Sequence, residues 1–436
     1  MALTGRTALL AALGSLFVGL VLPSWAGIGL VTGVVVVGVL LDLAIAAPVR
    51  TLHLAREGDS SVRLGEPATV SLTVSNPSRR PLRGRLRDAW APSAFRPGTD
   101  LTASRHRLLV PAGERRRVST ELRPTRRGDH HSHRVTIRSL GPLGLAGRQG
   151  SHLVPWTLRA LPPFTSRKHL PSRLARLREL DGRTSLLTRG QGTEFDSLRE
   201  YLPGDDVRSI DWRASARRHT VAVRTWRPER DRHILIVLDT GRTSAGRVGD
   251  APRLDAALDA ALLLTALATK AGDRVDLLAH DQHQRGSVLG RSATEVLPAF
   301  THAMALLEPA LVETNLRALT AAALRLAPRR SLIVLLTGLD AGPAEDGLLP
   351  LLPRLTRRHE VVVAGVADPR LTELATGRGT VQAVYGAAAA EQAQADRRAV
   401  AERLTRLGAT VLDAPPATLP PALADAYLAL KAAGRL

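Results

Sequence analysis

Two uncharged apolar runs at the N-terminus set the first limit on what this chain can fold into. Thr7 to Leu22, TALLAALGSLFVGLVL, is followed after the break PSWAG by Ile28 to Leu41, IGLVTGVVVVGVLL, which continues past Asp42 into LAIAAPV. With its flanks each run approaches the roughly 20 residues needed to cross a bilayer. A signal peptide is the alternative, with Arg6 as its charged start and Ser24-Trp25-Ala26 as a small-x-small cleavage site. A second long apolar segment directly behind it would then be an odd mature N-terminus. Two spans joined by a Pro-Ser-Trp-Ala-Gly turn form a simpler solution, a transmembrane hairpin over residues 1–49 with Trp25 at the interface. The turn is uncharged, whereas Arg6 precedes the hairpin and Arg50, Arg56 and Arg63 follow it. The positive-inside rule therefore predicts a multi-pass protein of the cell membrane, held in its lipid by the hairpin, with the bulk of the chain cytoplasmic.

The rest of the 436 residues is long enough for two or more domains. The chain has no cysteine, which excludes disulfides, thiolate zinc sites, iron–sulfur clusters and a cysteine nucleophile. Lys and Arg number 60 against 40 Asp and Glu, a net charge of +20 that raises the question of nucleic acid. The basic residues are almost all Arg and spread along the chain, and aromatics make up only 3%, so stacking platforms for bases are scarce. No nucleic-acid partner is expected, and attraction to an anionic membrane face accounts for the charge equally well.

Residues 50–165 carry short alternating segments, ATVSLTVSN, RHRLLVPAG, RRRVSTELRP and HRVTIRSLG, separated by Pro, Gly and Asn turns, which predicts a small antiparallel β-sandwich. Within it Asp129, His130, His131 and His133 invite a metal reading, since His131 and His133 share one face of a strand. No matching acidic or histidine partners recur elsewhere in the domain, which favours a solvated strand entry after the turn at Gly128. In the linker that follows, residues 166–232, SRLARLRELDG reads as a helix stopped by Gly182.

The same linker holds QGTEFDSLREYLPGDDVRSIDWR, Gln191 to Arg213. It crowds Glu194, Asp196, Glu200, Asp205, Asp206 and Asp211 among Arg199, Arg208 and Arg213, as either a catalytic acid cluster or a structural ion network. Each acid has an arginine within a few residues, which holds it ionised and makes it a poor proton shuttle. The expectation is a clasp: Tyr201 and Gly204 flank a Pro-Gly turn, Asp205 or Asp206 caps VRSIDWRASAR, and Trp212 packs as its apolar anchor with Arg208 and Asp211 bridging around it. A partner-docking surface on the same frame is compatible with that role.

From His233 to the end the rhythm changes to apolar strands alternating with long helices: HILIVLDT, RLDAALDAALLLTALATKAG, DRVDLLAH, RGSVLG, SATEVLPAFTHAMALL, NLRALTAAALRLA, SLIVLLTG, GLLPLLPRLTRR, EVVVAGVAD, AEQAQADRRAVAERLTRLG, ATVLDA and PPALADAYLALKAAG. Fully apolar strands covered on both faces mean an α/β doubly wound, mostly parallel sheet over residues 233–436. Ligands of such sheets bind at the carboxyl ends of the strands, which puts Asp239, Thr243, Thr337 and Asp340 along one crevice. The loop GRTSAGRVGD lacks the Gly-Lys-Ser/Thr ending of a phosphate loop, and no Gly-x-Ser-x-Gly elbow is present.

The series RGQGTEF, LREYLPGDDVRSIDWRASAR and LDTGRTS resembles the bacterial domain of unknown function 58 family, the MoxR-associated membrane proteins with a von Willebrand factor A-like domain. The resemblance extends to the N-terminal hairpin, to RSLGPLGL and to the closing AYLALKAAGRL. It implies a von Willebrand factor A-like C-terminal domain in a membrane-anchored, non-enzymatic adaptor that works with a MoxR-type AAA+ ATPase on an unidentified client protein. The competing reading is a metal-dependent enzyme or hydrolase using the acids of 194–211. The resemblance also suggests a metal-ion-dependent adhesion site, in which hydroxyl and carboxylate oxygens hold a divalent cation. Here Asp239, Thr243, Thr314 and Asp340 offer oxygens, but Gly241 and Gly338 stand where two further ligands are expected, so only a partial shell survives. Weak Mg²⁺ binding is the most such a shell supports, and Arg242 in the same loop can instead take a partner's carboxylate through bidentate hydrogen bonds.

Overall fold

The computed structural model describes residues 1–96, 98, 104–187, 194–202, 205–218, 220–227 and 232–436. The chain divides into two compact units, Met1–Leu161 and Pro162–Leu436.

The first unit begins with helices α1 (Gly5–Val21) and α2 (Trp25–Ile45), the second opened by Ser24, whose hydroxyl accepts the Gly27 amide at 3.1 Å. The two helices touch where a Cβ on Gly14 would fall 2.3 Å from Val31 Cγ1. Leu9, Leu13, Leu16 and Leu20 on α1, and Val34, Val37, Leu40 and Leu41 on α2, are each half or more exposed. The helical stretch Trp25–Thr51 is long and apolar enough to cross a membrane, while α1 is apolar but shorter at 17 residues. Asp42, the one acid in the apolar runs, is fully buried: it accepts the amides of Leu143 (2.8 Å), Leu145 (2.5 Å) and Ala146 (3.0 Å). A buried carboxylate requires such donors.

Nine strands follow: β1 (His53–Gly58), β2 (Ser61–Arg63), β3 (Ala68–Ser75), β4 (Leu82–Trp90), β5 (Arg105–Val110), β6 (Arg115–Leu122), β7 (Gly128–Leu140), β8 (Ala146–Leu153) and β9 (Thr157–Leu161). β1, β3 and β6 form one antiparallel sheet. The other is built on the long β7, which pairs with β8, β9 and β4; β5 extends it beyond β4, and β2 joins β9 in the unit's one parallel pairing among the described strands. Leu72 and Val74 from the first sheet meet Leu82, Leu86, Leu108, Val135 and Ile137 from the second, the inward residues of alternating strands. Inside this sandwich Arg56 and Asp88 form a bidentate pair at 2.9 and 2.8 Å, and the Trp90 indole donates to the same carboxylate at 2.9 Å.

In the second unit α3 (Leu170–Leu187) runs through Gly182 instead of stopping there, because glycine inside a helix costs only about 1 kcal/mol against alanine. β10 (Glu194–Glu200) and β11 (Ala222–Arg227) pair as an antiparallel ribbon around α4 (Trp212–Arg218). The main sheet contains β12 (His233–Asp239), β13 (Arg274–His280), β14 (Gln284–Val288), β15 (Leu332–Leu336), β16 (Glu360–Val366) and β17 (Thr410–Ala414). Their order is β14-β13-β12-β15-β16-β17, parallel throughout except for the edge strand β14. Helices α5 (Arg253–Lys270), α6 (Val296–Ala305), α7 (Leu316–Leu326), α8 (Leu352–Thr356), α9 (Val381–Arg406) and α10 (Leu419–Ala432) alternate with these strands. Two apolar clusters, one containing Ile234, Ile236 and Leu238 and the other Leu235 and Val237, sandwich β12 from both faces. The stretch expected as one helix over 347–358 is split between a π-helical turn, Ala344–Leu348, and α8. Pro350 and Pro353, which lack an amide donor, account for the break.

Candidate functional site

Strand order reverses between β12 and β15, and the crevice outside their carboxyl ends is the switch point where ligands of open α/β sheets bind. Asp239 closes β12 there and is only 2% exposed. Its Oδ1 accepts the Gly241 amide (2.8 Å) and the Thr314 hydroxyl (2.5 Å); its Oδ2 accepts the hydroxyls of Thr243 (3.0 Å) and Thr337 (2.6 Å). Three of the four residues expected as oxygen donors, Asp239, Thr243 and Thr314, thus converge, with Thr337 added. Asp340 is drawn into a second set of partners, Arg253 at 3.0 Å and Arg397 at 3.1 Å. Arg397 also grips Asp413 through two nitrogens, at 3.0 and 2.7 Å. Burial works against the charge on Arg397, but Asp413 and Asp340 outweigh it and raise its pKa.

This arrangement decides how well the site fits a divalent cation. Asp239 carries four donors and Asp340 answers two guanidinium groups, so both carboxylates are satisfied internally. Among the described residues no group of three or more His, Asp and Glu is placed to hold a metal ion. A hard cation wants a set of free oxygens, and the residues present do not fit one as a resident group. The two glycines that stand where ligands are expected also have a steric role. A Cβ on Gly241 would sit 2.0 Å from Thr314 Oγ1, and one on Gly338 would sit 2.8 Å from Thr243 Cβ, so both loops close only because no side chain is there. Arg242 pairs with Glu313 at 3.1 Å, both exposed, and its amide donates to Val312 O at 2.8 Å. Beside them opens a cavity of about 430 Å³, lined by Asp239, Thr243, Glu313, Thr314, Leu316 and Asp346 among others.

The histidine cluster of the β-sandwich does not assemble a metal site. Asp129 is paired with Arg159 at 2.7 and 2.9 Å, His130 is buried against Arg126 O at 2.9 Å, and His131 meets the Thr157 hydroxyl at 3.0 Å.

The acidic stretch forms a framework around the β10–β11 ribbon. Arg199 holds Asp205 through two bonds at 2.8 and 2.5 Å, and Asp205 also takes the Leu202 amide at 2.9 Å. The guanidinium, helped by that amide, keeps the Asp205 carboxyl below the usual range. Asp206 caps only a short turn, accepting the Arg208 amide at 3.0 Å. Asp211 is the cap of α4: its Oδ1 takes the amides of Arg213 (3.0 Å) and Ala214 (2.9 Å) while Oδ2 pairs with Arg224 at 2.8 Å. The Ala214 amide, with Arg224, lowers its pKa in turn. Tyr201 is half-buried and donates its amide to Val221 O at 2.8 Å. Glu194 stands opposite Arg227 at the ribbon's other end, and Gly204 lies outside the described residues.

Two expectations are corrected here. Trp212 is 68% exposed and is no anchor, because the Asp211 cap sets it at the first position of α4 with its side chain away from the ribbon core. Arg208 is exposed and does not bridge Asp211, whose free oxygen Arg224 occupies across the ribbon. Leu202, Val207 and Val221 are exposed alongside Trp212 in the same segment. Sequence reasoning missed Arg253 and Arg397, since an arginine inside ADRRAV of an amphipathic helix looks solvated until the fold buries it.

Residues 197–410 match the family described as protein of unknown function DUF58. The chain is similar to uncharacterized protein YeaD of Bacillus subtilis, 25% identical over 194 residues, 44% of this chain and 48% of that one. It is likewise similar to uncharacterized protein Rv1480 of Mycobacterium tuberculosis, 30% identical over 187 residues, 42% of this chain and 58% of the relative. The match thus spans about half the length of these relatives. Among solved structures, proximal thread matrix protein 1 from the mussel byssus covers 47% of the chain at 12% identity with a TM-score of 0.28, too low to carry an argument.

Proposed function

We infer that this protein is a membrane-anchored, non-enzymatic docking subunit: an N-terminal two-span hairpin holds it in the cell membrane, and a von Willebrand factor A-like domain presents a protein-binding face to the cytoplasm. The observation that carries this reading is the exposure of Trp212, with Leu202, Val207 and Val221, on a ribbon stiffened by the Asp205 and Asp211 networks. A large aromatic on a rigid frame is what a docking hot spot needs. The strand order 3-2-1-4-5-6 with an antiparallel third strand supports the domain assignment, and the cavity beside Arg242 and Glu313 supplies a second contact for a partner or its client. The family resemblance points to a MoxR-type AAA+ ATPase as the partner. Asp205 and Asp211 are paired with arginines and held ionised, which disfavours the reading of 194–211 as an acid–base centre. The test is capture of the ATPase by the full chain in lipid nanodiscs, with Trp212→Ala and with Arg242→Ala. Loss with Trp212→Ala supports the ribbon as the docking face. Full capture by both variants contradicts the assignment.

A further inference from the structure

We propose that the outer face of the larger sheet in the first unit binds the anionic phospholipid headgroups of the membrane that holds α1 and α2. The proposal rests on the membrane reading of those helices. Arg83, Arg85 and Arg87 alternate on β4 with the buried Leu82, Leu86 and Asp88, so all three point away from the core. The register sets Arg85 directly opposite Arg107 of β5 on one side and Arg138 of β7 on the other, and Arg87 opposite Arg105. Directly paired residues share a face, so one row carries three adjacent guanidinium groups and the next carries two. Among the described residues none of Arg83, Arg85, Arg87, Arg105 and Arg107 has a carboxylate partner, and Arg138 meets only the neutral Gln149, at 3.1 and 2.9 Å. Like charges set directly opposite destabilise a sheet unless anions lie against them.

The position of the face selects the anion. The β7–β8 turn of this sheet is bound to both helices: Ala2 and Leu3 pair with Gly147 and Ala146, Thr4 donates to Leu145 O at 2.9 Å, and Asp42 of α2 takes the turn's amides. The first outward pair from that end, Arg83 opposite Leu109, puts an exposed leucine beside an arginine, and Leu3 and Leu143 are exposed at the same edge. The Arg85–Arg107–Arg138 row follows two residues along, roughly 7 Å farther at the usual strand rise. That is within the Debye length of about 8 Å at physiological salt. A basic rim with scattered leucines, at the point where apolar helices leave the sheet, suits a headgroup layer. The face carries no exposed aromatic residue among those described, so it lacks the stacking groups of a nucleic-acid site.

The chain has no cysteine, so one introduced thiol reports a single position. Full chain carrying Leu109→Cys, labelled with a fluorophore, is reconstituted into phosphatidylcholine vesicles with and without phosphatidylglycerol, both containing a headgroup quencher. Leu153→Cys, on an exposed residue at the far end of β8, is the geometric control. The expected result is quenching at position 109 that rises several-fold with phosphatidylglycerol, weakens in high salt, and is lost in Arg85→Gln/Arg107→Gln/Arg138→Gln, with position 153 little affected. Melting of the triple variant shows whether its fold is intact; relief of like-charge repulsion predicts no loss. Equal quenching in both lipids, or quenching that survives the triple substitution, overturns the proposal. So does protection of the label by soluble polyglutamate but not by phosphatidylglycerol, which would assign the face to an acidic protein. Failure of the chain to integrate into vesicles, read by resistance to carbonate extraction, would instead remove the membrane reading itself.

Discussion

Trp212 and Asp239, on two different elements of the second unit, take opposite roles. Trp212 leaves little behind when removed from the surface, so Trp212→Ala should change stability by no more than about 0.5 kcal/mol in a melting experiment. As a docking hot spot it should weaken partner capture by about 2 kcal/mol, roughly 30-fold. Asp239→Ala is the reverse case. It strands the hydroxyls of Thr243, Thr314 and Thr337 and the Gly241 amide, so stability should fall by about 2–4 kcal/mol, and a smaller change would show that the loops re-pair among themselves. His359 supplies a pH dependence. Burial, then the nearby charges of Arg358 and His233, lowers its pKa below the ordinary 6.5. The unfolded chain therefore takes up a proton that the folded chain refuses, and stability is full above about pH 6.5 and declines as pH falls from there toward the lower folded value. Melting between pH 7.5 and 5.5 should record a loss of at most about 1.4 kcal/mol per pH unit from this group, and His359→Gln should flatten it. Identical profiles for the two proteins would contradict this account of His359. Convergence at Asp239 was legible in the sequence from strand-end placement, but the exposure of Trp212 was not, because a tryptophan next to a cap looks the same whether its ring turns in or out.

At the scale of elements, the apolar strands declared themselves: HILIVLD, LIVLL and EVVVAGV are buried along their whole length apart from His233, as continuous runs without alternation require. Helix ends were less legible. The amphipathic pattern of α9 becomes visible at AEQAQADRR, yet the helix starts at Val381, where Thr380 accepts the Ala383 amide at 3.2 Å and the Ala-rich stretch between has no face of its own. β4 was also missed, since arginines at every second position disguise its buried Leu82, Leu86 and Trp90. The Arg56–Asp88 pair that ties β1 to β4 has side chains only 1% and 2% exposed. Asp88→Ala leaves that guanidinium uncompensated, and the first unit should lose about 3–5 kcal/mol in thermal or denaturant unfolding. A loss below about 1 kcal/mol would mean that water reaches the site.

For the whole molecule, the central claim is a membrane anchor joined to a docking domain. Two apolar N-terminal helices with largely exposed leucines and valines, a sandwich bound to their ends and an α/β domain with an exposed tryptophan are the parts that the proposed subunit needs. The most direct test measures binding of the MoxR-type AAA+ ATPase from the same cell to the full chain in nanodiscs, for wild type and Trp212→Ala at matched folding. Saturable binding by wild type that weakens roughly 30-fold in Trp212→Ala is the predicted result. No binding by wild type, or equal binding by both proteins, would contradict it.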